Sequence, residues 1–181
     1  MKVFLALITT LTALATAQAQ FSFTANCTPA QDGGGARTGT GAFTLTLSGS
    51  TMTINGNFSG LSGNSTAAHI HGPSAAFPAS ASVIYDFTPG GLNLATLGSP
   101  AGTINGTFEL IPKVNGTYSV AQQMADLNAG LWYVNVHSTT FGGGEIRGVI
   151  QPVPEPSTWV LASLGVVGLV LLGLRRQRQA A

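Results

Sequence analysis

Two segments of this chain alternate apolar and polar residues, and this alternation limits the folds open to it more than any other feature. Residues 43–48 read Phe-Thr-Leu-Thr-Leu-Ser, and residues 132–137 read Trp-Tyr-Val-Asn-Val-His. Side chains that repeat with a period of two project to one face of a strand, so each segment can cover a core with that face. Helix-period patterns are scarce, whereas glycine, threonine, serine and asparagine are abundant. The chain is therefore predicted to form an all-β domain.

Further short strands and one helix complete this prediction. Turn-rich stretches separate five more candidate strands, at residues 51–59, 67–71, 82–87, 103–110 and 145–150. The exception is residues 119–129, where Ser119 is a candidate N-cap, apolar residues recur at helical spacing and Gly130 ends the run. We expect a Greek-key antiparallel β-sandwich with one short helix.

Two six-residue segments nearly repeat each other. Residues 53–58 read Thr-Ile-Asn-Gly-Asn-Phe, and residues 103–108 read Thr-Ile-Asn-Gly-Thr-Phe. Asn-Gly can turn a β-hairpin, but each pair can also mark a bulge or kink within a strand. The sequence leaves both interpretations open.

The N-terminus has the composition of a secretory signal peptide. Met1 and Lys2 give a positive start, residues 3–15 an apolar core, and Ala17 and Ala19 a small-residue cleavage site. We therefore predict that signal peptidase removes residues 1–19. The alternative is a mature N-terminal helix.

The C-terminus combines a Pro154-Glu155-Pro156 motif, an uncharged apolar run at residues 159–174 and an arginine-rich tail. As a helix, the sixteen residues of the run reach about 24 Å, slightly less than the ~30 Å hydrocarbon core, and arginines prefer the cytoplasmic side. This indicates a C-terminal transmembrane helix, the alternative being a buried helix of a soluble protein.

This order of motif, span and basic tail resembles the PEP-CTERM sorting signal of Gram-negative bacteria, here at residues 153–181. The resemblance implies that an exosortase-type enzyme cuts near Pro154, Glu155 and Pro156. It also implies export across the inner membrane, a transient membrane anchor, and then a place on the cell surface or outside the cell.

Residues 20–152 are predicted to form one domain, since their length suits a single core. Five acidic and three basic residues make it mildly acidic. The absence of a basic stripe argues against nucleic-acid binding. Cys27 is the chain's one cysteine, so it is either a packed, inert thiol or a partner for a second chain. Glu145 and Arg147 share a strand face and are expected to form a structural pair, with each other or with a neighbouring strand.

The three histidines are the best chemical clue in the chain. In a strand at residues 67–71, His69 and His71 share one face, and His137 ends another predicted strand. Three neutral imidazoles suit copper or zinc and leave a coordination position open. The alternative is that these histidines are structural residues hydrogen-bonded to nearby loops.

Most of residues 22–151 resembles the CHRD family, named from chordin. The resemblance rests on Ala-His-Ile-His-Gly-Pro at residues 68–73, and on Trp-Tyr-Val-Asn-Val-His at 132–137 followed by Gly-Glu-Ile-Arg-Gly at 144–148. It implies a β-sandwich of uncertain biochemical function that occurs in bacterial exported proteins.

A second resemblance is to copper/zinc superoxide dismutase, in which His-x-His on one strand and a later histidine bind copper. His69, His71 and His137 match those positions, and Arg147 resembles the arginine that guides the anion. A bridging histidine, a zinc-binding loop and the second disulfide cysteine are missing, so the resemblance implies at most a copper site. The sandwich is accordingly expected to be immunoglobulin-like or superoxide-dismutase-like.

Two functions follow from these observations. The first is a non-enzymatic binding or structural module of the cell surface or extracellular matrix, with envelope or exopolysaccharide components as partners. The second is a copper- or zinc-binding metalloprotein that uses His69, His71 and His137, with possible redox activity. No catalytic constellation is predicted, because the serines lack a nucleophile elbow and the carboxylates lack a paired arrangement.

Overall fold

The computed structural model describes residues 20–74 and 79–154. Within these ranges the chain forms strands, one α-helix and one 3-10 turn. The strands are β1 (Gln20–Cys27), β2 (Thr40–Ser48), β3 (Thr51–Ser59), β4 (Ser65–His71), β5 (Val83–Asp86), β6 (Ala95–Thr96), β7 (Gly102–Glu109), β8 (Tyr133–Ser138), β9 (Ile146–Val149) and β10 (Gln151–Pro152). The helix is α1 (Val120–Asn128), and the 3-10 turn is Pro29–Asp32.

The strands form two antiparallel sheets. Sheet 1 has six strands in the order β10-β1-β2-β3-β7-β6, and sheet 2 has four strands in the order β5-β4-β8-β9. Buried apolar side chains from both sheets belong to one hydrophobic cluster, to which Leu45 and Ile54 contribute from sheet 1 and Ile70 and Val134 from sheet 2. The fold is therefore all-β, with two sheets that share a single core.

The outer face of sheet 2 is largely covered, unlike the outer face of sheet 1. Every residue of β8 is buried, although its side chains alternate between the two faces. Val134 and Val136 belong to the core, whereas Tyr133, Asn135 and His137 are buried on the opposite face. The segments around Ala81 and Gly142 make hydrogen bonds to side chains of this face, and Thr28 pairs with Arg147 at the edge of the sheet. Sheet 2 thus has a second, polar buried region.

The seven predicted strands and the helix are confirmed, with ends that shift by up to three residues. Ser119 caps α1 by accepting a hydrogen bond from the backbone N–H of Gln122. β1, β6 and β10 were not predicted. The two Asn-Gly pairs lie within β3 and β7 and face each other, since Asn55 pairs with Asn105. The hairpin interpretation is wrong, and the pairing of these strands continues through both sites without a register shift.

Cys27 is buried in the core, with its sulfur 3.8 Å from the carbonyl oxygen of Val134. Burial, with a further contribution from Asp32, raises the pKa of the thiol far above its ordinary value. These observations favour the packed, inert thiol.

The predicted signal peptide, with Ala17 and Ala19, lies outside the described residues. So do Glu155, Pro156 and the predicted transmembrane helix at residues 159–174. Among residues 20–74 and 79–154, no helix is long and apolar enough to span a bilayer.

Candidate metal centre

The three histidines meet on the outer face of sheet 2 because β4 and β8 are neighbours in it. Ala68 and Ile70 of β4 point into the core, so His69 and His71 lie on the opposite face, as the sequence predicted. On β8, His137 pairs with Ala67, and Asn135 pairs with His69. This register brings His137 diagonally next to His69.

One nitrogen from each imidazole converges on a common point. These three nitrogen atoms lie within 4.8 Å of one another. The ring centroids are 4.8 Å apart for His69 and His137, and 5.5 Å apart for His69 and His71. Bonds of about 2.0–2.1 Å to one ion need nitrogen atoms no more than ~4.2 Å apart, so the widest of these separations has to shorten when all three nitrogens bind one ion.

Backbone carbonyl groups fix the orientation of two of these rings. His71 Nδ1 lies 2.8 Å from the carbonyl oxygen of Ala81, and His137 Nδ1 lies 3.0 Å from that of Gly142. A carbonyl oxygen only accepts, so each Nδ1 carries the proton and each neutral ring presents a lone pair at Nε2. His71 Nε2 is buried and makes no hydrogen bond. It is therefore a buried donor atom available to a metal ion.

In His69 it is Nδ1 that faces another histidine, and Nε2 that points away from the cluster. Its Nδ1 lies 3.0 Å from His137 Nε2, and its Nε2 lies 3.5 Å from Asp86 Oδ1. The same Asp86 oxygen accepts hydrogen bonds from the backbone N–H and the hydroxyl of Thr88, at 2.8 and 2.6 Å. A carboxylate beyond the far nitrogen of a histidine is a common second layer of metal sites, where it fixes the tautomer and makes the ligand more basic.

The environment favours the neutral forms of His69 and His71. Burial lowers the pKa of His71 to about 4, despite the opposing hydrogen bond to Ala81. Burial and the nearby His137 also lower the pKa of His69 below its ordinary value, and Asp86 only partly offsets them. Neutral rings have the free lone pairs that metal ions require. His69 and His71 therefore need little deprotonation before they can bind an ion.

Tyr133 extends this polar region away from the histidines. Its ring stacks on that of His71, with centroids 4.9 Å apart and an interplanar angle of 6°. The guanidinium of Arg147 lies 4.2 Å from the Tyr133 ring centroid, and Arg147 Nη2 lies 2.7 Å from Asp32 Oδ1. The Tyr133 hydroxyl accepts the backbone N–H of Ala81. Ala81 thus holds both Tyr133 and His71.

The arginine predicted by resemblance to guide an anion has a different environment. Arg147 is 6% exposed and is engaged with Asp32 and Tyr133. It pairs with Asp32 and not with Glu145, whose carboxylate accepts hydrogen bonds from Thr38 and Ser62. Glu145 and Arg147 therefore make structural contacts, as expected, but with partners that the sequence did not identify.

Several residues around the site were missed by the sequence analysis. Ala81 and Gly142 contribute backbone carbonyls, which have no side-chain signature. Asp86 acts from β5, whose pairing with β4 places it opposite His69. Tyr133 could have been found from the sequence, because alternation along the strand places it on the same face as Asn135 and His137.

The comparisons with known proteins agree with the resemblances to the CHRD family and to the PEP-CTERM sorting signal. The CHRD domain model matches residues 23–150, which include all three histidines. The model of the PEP-CTERM protein-sorting motif matches residues 152–178, which include Pro154, Glu155 and Pro156. No curated protein and no solved structure matches the chain significantly. Because the first match covers well over half of its length, the chain belongs to the CHRD domain family.

Proposed function

We propose that this chain is an exported, exosortase-sorted protein of the cell surface or extracellular matrix, and that its CHRD domain is a non-enzymatic binding module. The sorting motif at residues 152–178 supports the export route. In this proposal signal peptidase cuts after Ala19, a helix at residues 159–174 anchors the protein, and an exosortase-type enzyme acts near Pro154, Glu155 and Pro156. The domain boundaries are then 1–19, 20–152 and 153–181.

We propose further that this module holds one copper or zinc ion. The ligands are Nδ1 of His69, Nε2 of His71 and Nε2 of His137. The observation that carries this proposal is that one ring nitrogen from each of the three histidines lies within 4.8 Å of the other two, with Nε2 of His71 buried and without a hydrogen-bond partner. A buried polar atom without a partner is costly, and bonding to an ion would remove that cost.

The donor set favours copper or zinc over the hard cations. Imidazole nitrogen suits copper and zinc, whereas calcium and magnesium require oxygen ligands. Three protein ligands leave a position for water or another small ligand. The bound ion would supply Lewis acidity if it is zinc, and electron exchange if it is copper.

The course of the chain also supports a Greek-key sandwich of the superoxide-dismutase type. The chain passes between the two sheets after β3, β5, β7 and β9. The pair His69 and His71 lies on one strand, and His137 lies on its neighbour, as in the copper site of that enzyme family. The absence of a bridging histidine and of a zinc loop limits the likeness to a single-ion site.

Metal binding by the full-length chain tests this proposal. The protein, purified in a non-ionic detergent, would be titrated with copper and with zinc beside a variant with His69, His71 and His137 all changed to alanine. We expect one tightly bound ion per chain and a higher melting temperature with metal, both lost in the variant. A matched control, Gln122→Ala on the exposed face of α1, should bind like the wild type.

If the wild-type chain binds neither metal, the metal proposal is wrong and the histidines are a structural hydrogen-bonded group. Binding that survives the triple substitution would place the ion elsewhere and would equally overturn it. Neither result would affect the proposed export route, which rests on the sorting motif.

A further inference from the structure

The outer face of sheet 1 carries hydroxyl and amide side chains in rows that run across the strands. Thr24 pairs with Thr44, Thr44 with Asn55, and Asn55 with Asn105, so that one row crosses β1, β2, β3 and β7. Gln151 of β10 pairs with Thr24 and lengthens this row by one strand. These side chains point away from the core, since their sequence neighbours Leu45, Ile54 and Ile104 are fully buried.

A second row runs beside the first. Ser22 pairs with Thr46, Thr46 with Thr53, and Thr53 with Thr107. We call the two rows together the threonine face. Neighbouring groups across the strands lie about 4.8 Å apart, and groups two residues apart along a strand lie about 6.7 Å apart. The face is therefore a regular array of hydrogen-bonding groups.

This array is almost without charge. Among the outward-facing residues of β1, β2, β3 and β7, Glu109 at the end of β7 is the one charged side chain. Its carboxylate accepts hydrogen bonds from the hydroxyls of Ser50 and Thr51. Soluble proteins normally place lysine and glutamate on an exposed sheet face, since charge keeps such faces from associating. The threonine face lacks that protection over its whole central part.

Hydrogen bonds within the face hold several of these side chains in place. The hydroxyls of Thr53 and Thr107 lie 3.2 Å apart, and the Thr44 hydroxyl donates to the carbonyl oxygen of Asn55 at 3.3 Å. The Asn105 side-chain oxygen accepts the backbone N–H of Gly56 at 3.2 Å. Binding of a ligand here costs less side-chain entropy of the protein, because these groups are already ordered.

We infer that the threonine face binds a neutral polysaccharide. An uncharged array does not attract a polyanion, and its few apolar groups offer little to a hydrophobic protein partner. A neutral glycan matches it, because sugar rings carry hydroxyl donors and acceptors beside small apolar C–H patches, as threonine does. This inference names the partner of the proposed surface module and rests on that part of the proposed function. It does not depend on the metal centre.

Binding to immobilised polymers tests the inference. The full-length chain, in a detergent without a sugar head group, would be measured by biolayer interferometry against hydroxyethyl cellulose, dextran and galactomannan, with alginate as the anionic comparison. We expect binding to at least one neutral polymer and less to alginate. The affinity should change little between about 0.05 and about 1 M NaCl, since no charge pairing is involved.

Two variants locate the binding surface. Thr44→Glu combined with Thr53→Glu puts two charges in the centre of the face and should weaken binding at least about tenfold, which corresponds to ~1.4 kcal/mol. The matched control, Ala121→Glu combined with Ala125→Glu, adds the same charge to exposed positions of α1 and should bind like the wild type. Thr44→Val combined with Thr53→Val keeps the strand propensity, removes the hydroxyls and should also weaken binding.

No binding to any of the three neutral polymers would overturn the inference, and so would unchanged binding by both threonine variants. Stronger, salt-sensitive binding to alginate would show a charge-driven interaction and overturn it as well. Self-association that the Thr44→Glu and Thr53→Glu substitutions abolish, without glycan binding, would make a second copy of this chain the occupant. The variant with His69, His71 and His137 changed to alanine should keep its glycan binding, so the two proposals fail separately.

Discussion

His69 Nδ1 lies 3.0 Å from His137 Nε2, and His137 is held in this position by the hydrogen bond from its Nδ1 to the carbonyl of Gly142. That hydrogen bond leaves a lone pair on His137 Nε2, pointing at His69. Two lone pairs at this distance repel each other, so the contact needs a positive centre between the rings. In the metal-free protein a proton on His69 Nδ1 supplies it. A bound metal ion would take the place of that proton, and His69 Nε2 would then hold the ring hydrogen and donate it toward Asp86.

The metal-free protein should lose stability as the pH falls from about 6.5 towards about 4. The pKa of folded His71 is lowered from 6.5 to about 4 by burial, so the unfolded chain takes up a proton over this window before the folded chain does. The stability of the folded protein is therefore unaffected by this group above pH 6.5. Below that pH, the folded state loses stability progressively, by up to about 3 kcal/mol. Chemical denaturation across this pH range measures it.

The control for this prediction is His71→Asn, whose amide can still donate to the carbonyl of Ala81. Its stability should fall by less between pH 6.5 and pH 4 than that of the wild type. Equal slopes for the two proteins would mean that His71 does not titrate differently on folding.

Asp86→Asn should weaken metal binding by about 10- to 100-fold without unfolding the protein. The carboxylate faces His69 Nε2 at 3.5 Å, and the amide that replaces it is uncharged and a poorer acceptor. A competition titration against a chelator measures the affinity. Asp126→Asn is a suitable control, because Asp126 accepts a hydrogen bond from Gln122 on α1, away from the histidines. An unchanged affinity in Asp86→Asn would remove Asp86 from the site.

Arg147→Met should destabilise the fold by about 3–5 kcal/mol, because it leaves the buried carboxylate of Asp32 without its closest cation. Arg147 Nη2 lies 2.7 Å from Asp32 Oδ1, whereas Arg37 Nε lies 3.8 Å from Asp32 Oδ2. The double variant with Asp32→Asn as well should recover part of the loss. Urea unfolding of the two single variants and the double variant gives the coupling energy, and strict additivity would contradict the prediction.

The sequence predicted the residues of the site better than the strand pairing that brings them together. Alternation within residues 67–71 was enough to put His69 and His71 on one face, because it is a local property of a strand. The meeting with His137 depends on the register in which β4 pairs with β8, and that register is set by residue pairs 62 to 73 positions apart in sequence. β6 and β10 have two residues each, too few to show a period, and β10 contains a proline that is tolerated at a sheet edge.

Gly56→Ala should cost more than about 2 kcal/mol of stability, although the residue lies within a regular strand. A Cβ atom at this position would collide with the carbonyl oxygen of Ala42 and lie 2.6 Å from Cδ1 of Phe43. This crowding also explains the glycine in the first Asn-Gly pair, which turns no hairpin. At Gly143 a Cβ would meet no atom within 4 Å, so Gly143→Ala is the matched control and should be nearly neutral. Equal thermal midpoints for the two variants would refute the steric argument.

Glu145→Gln should destabilise the protein at neutral pH, and the loss should shrink in acid. Glu145 is 0% exposed, and its Oε1 accepts the backbone N–H of Ser62 at 2.6 Å and that of Thr38 at 3.3 Å. Burial alone would raise the pKa of this carboxyl, but hydrogen bonds from Ser138, Ser62 and Thr38 outweigh it and lower the pKa below 4.5. The stabilisation is therefore present above the unfolded pKa and lost as the pH falls through the lower folded pKa.

At pH 7 we expect a loss of about 1.5–3 kcal/mol in Glu145→Gln, the range for hydrogen bonds to a charged acceptor. Urea unfolding of both proteins at pH 7 and pH 3 measures it. A smaller difference at pH 3 is expected, because the wild-type carboxyl is then partly protonated and resembles the amide. A difference that does not change with pH would show that Glu145 acts through its shape alone. It would also mean that the segments around Thr38 and Ser62 are not held by its charge.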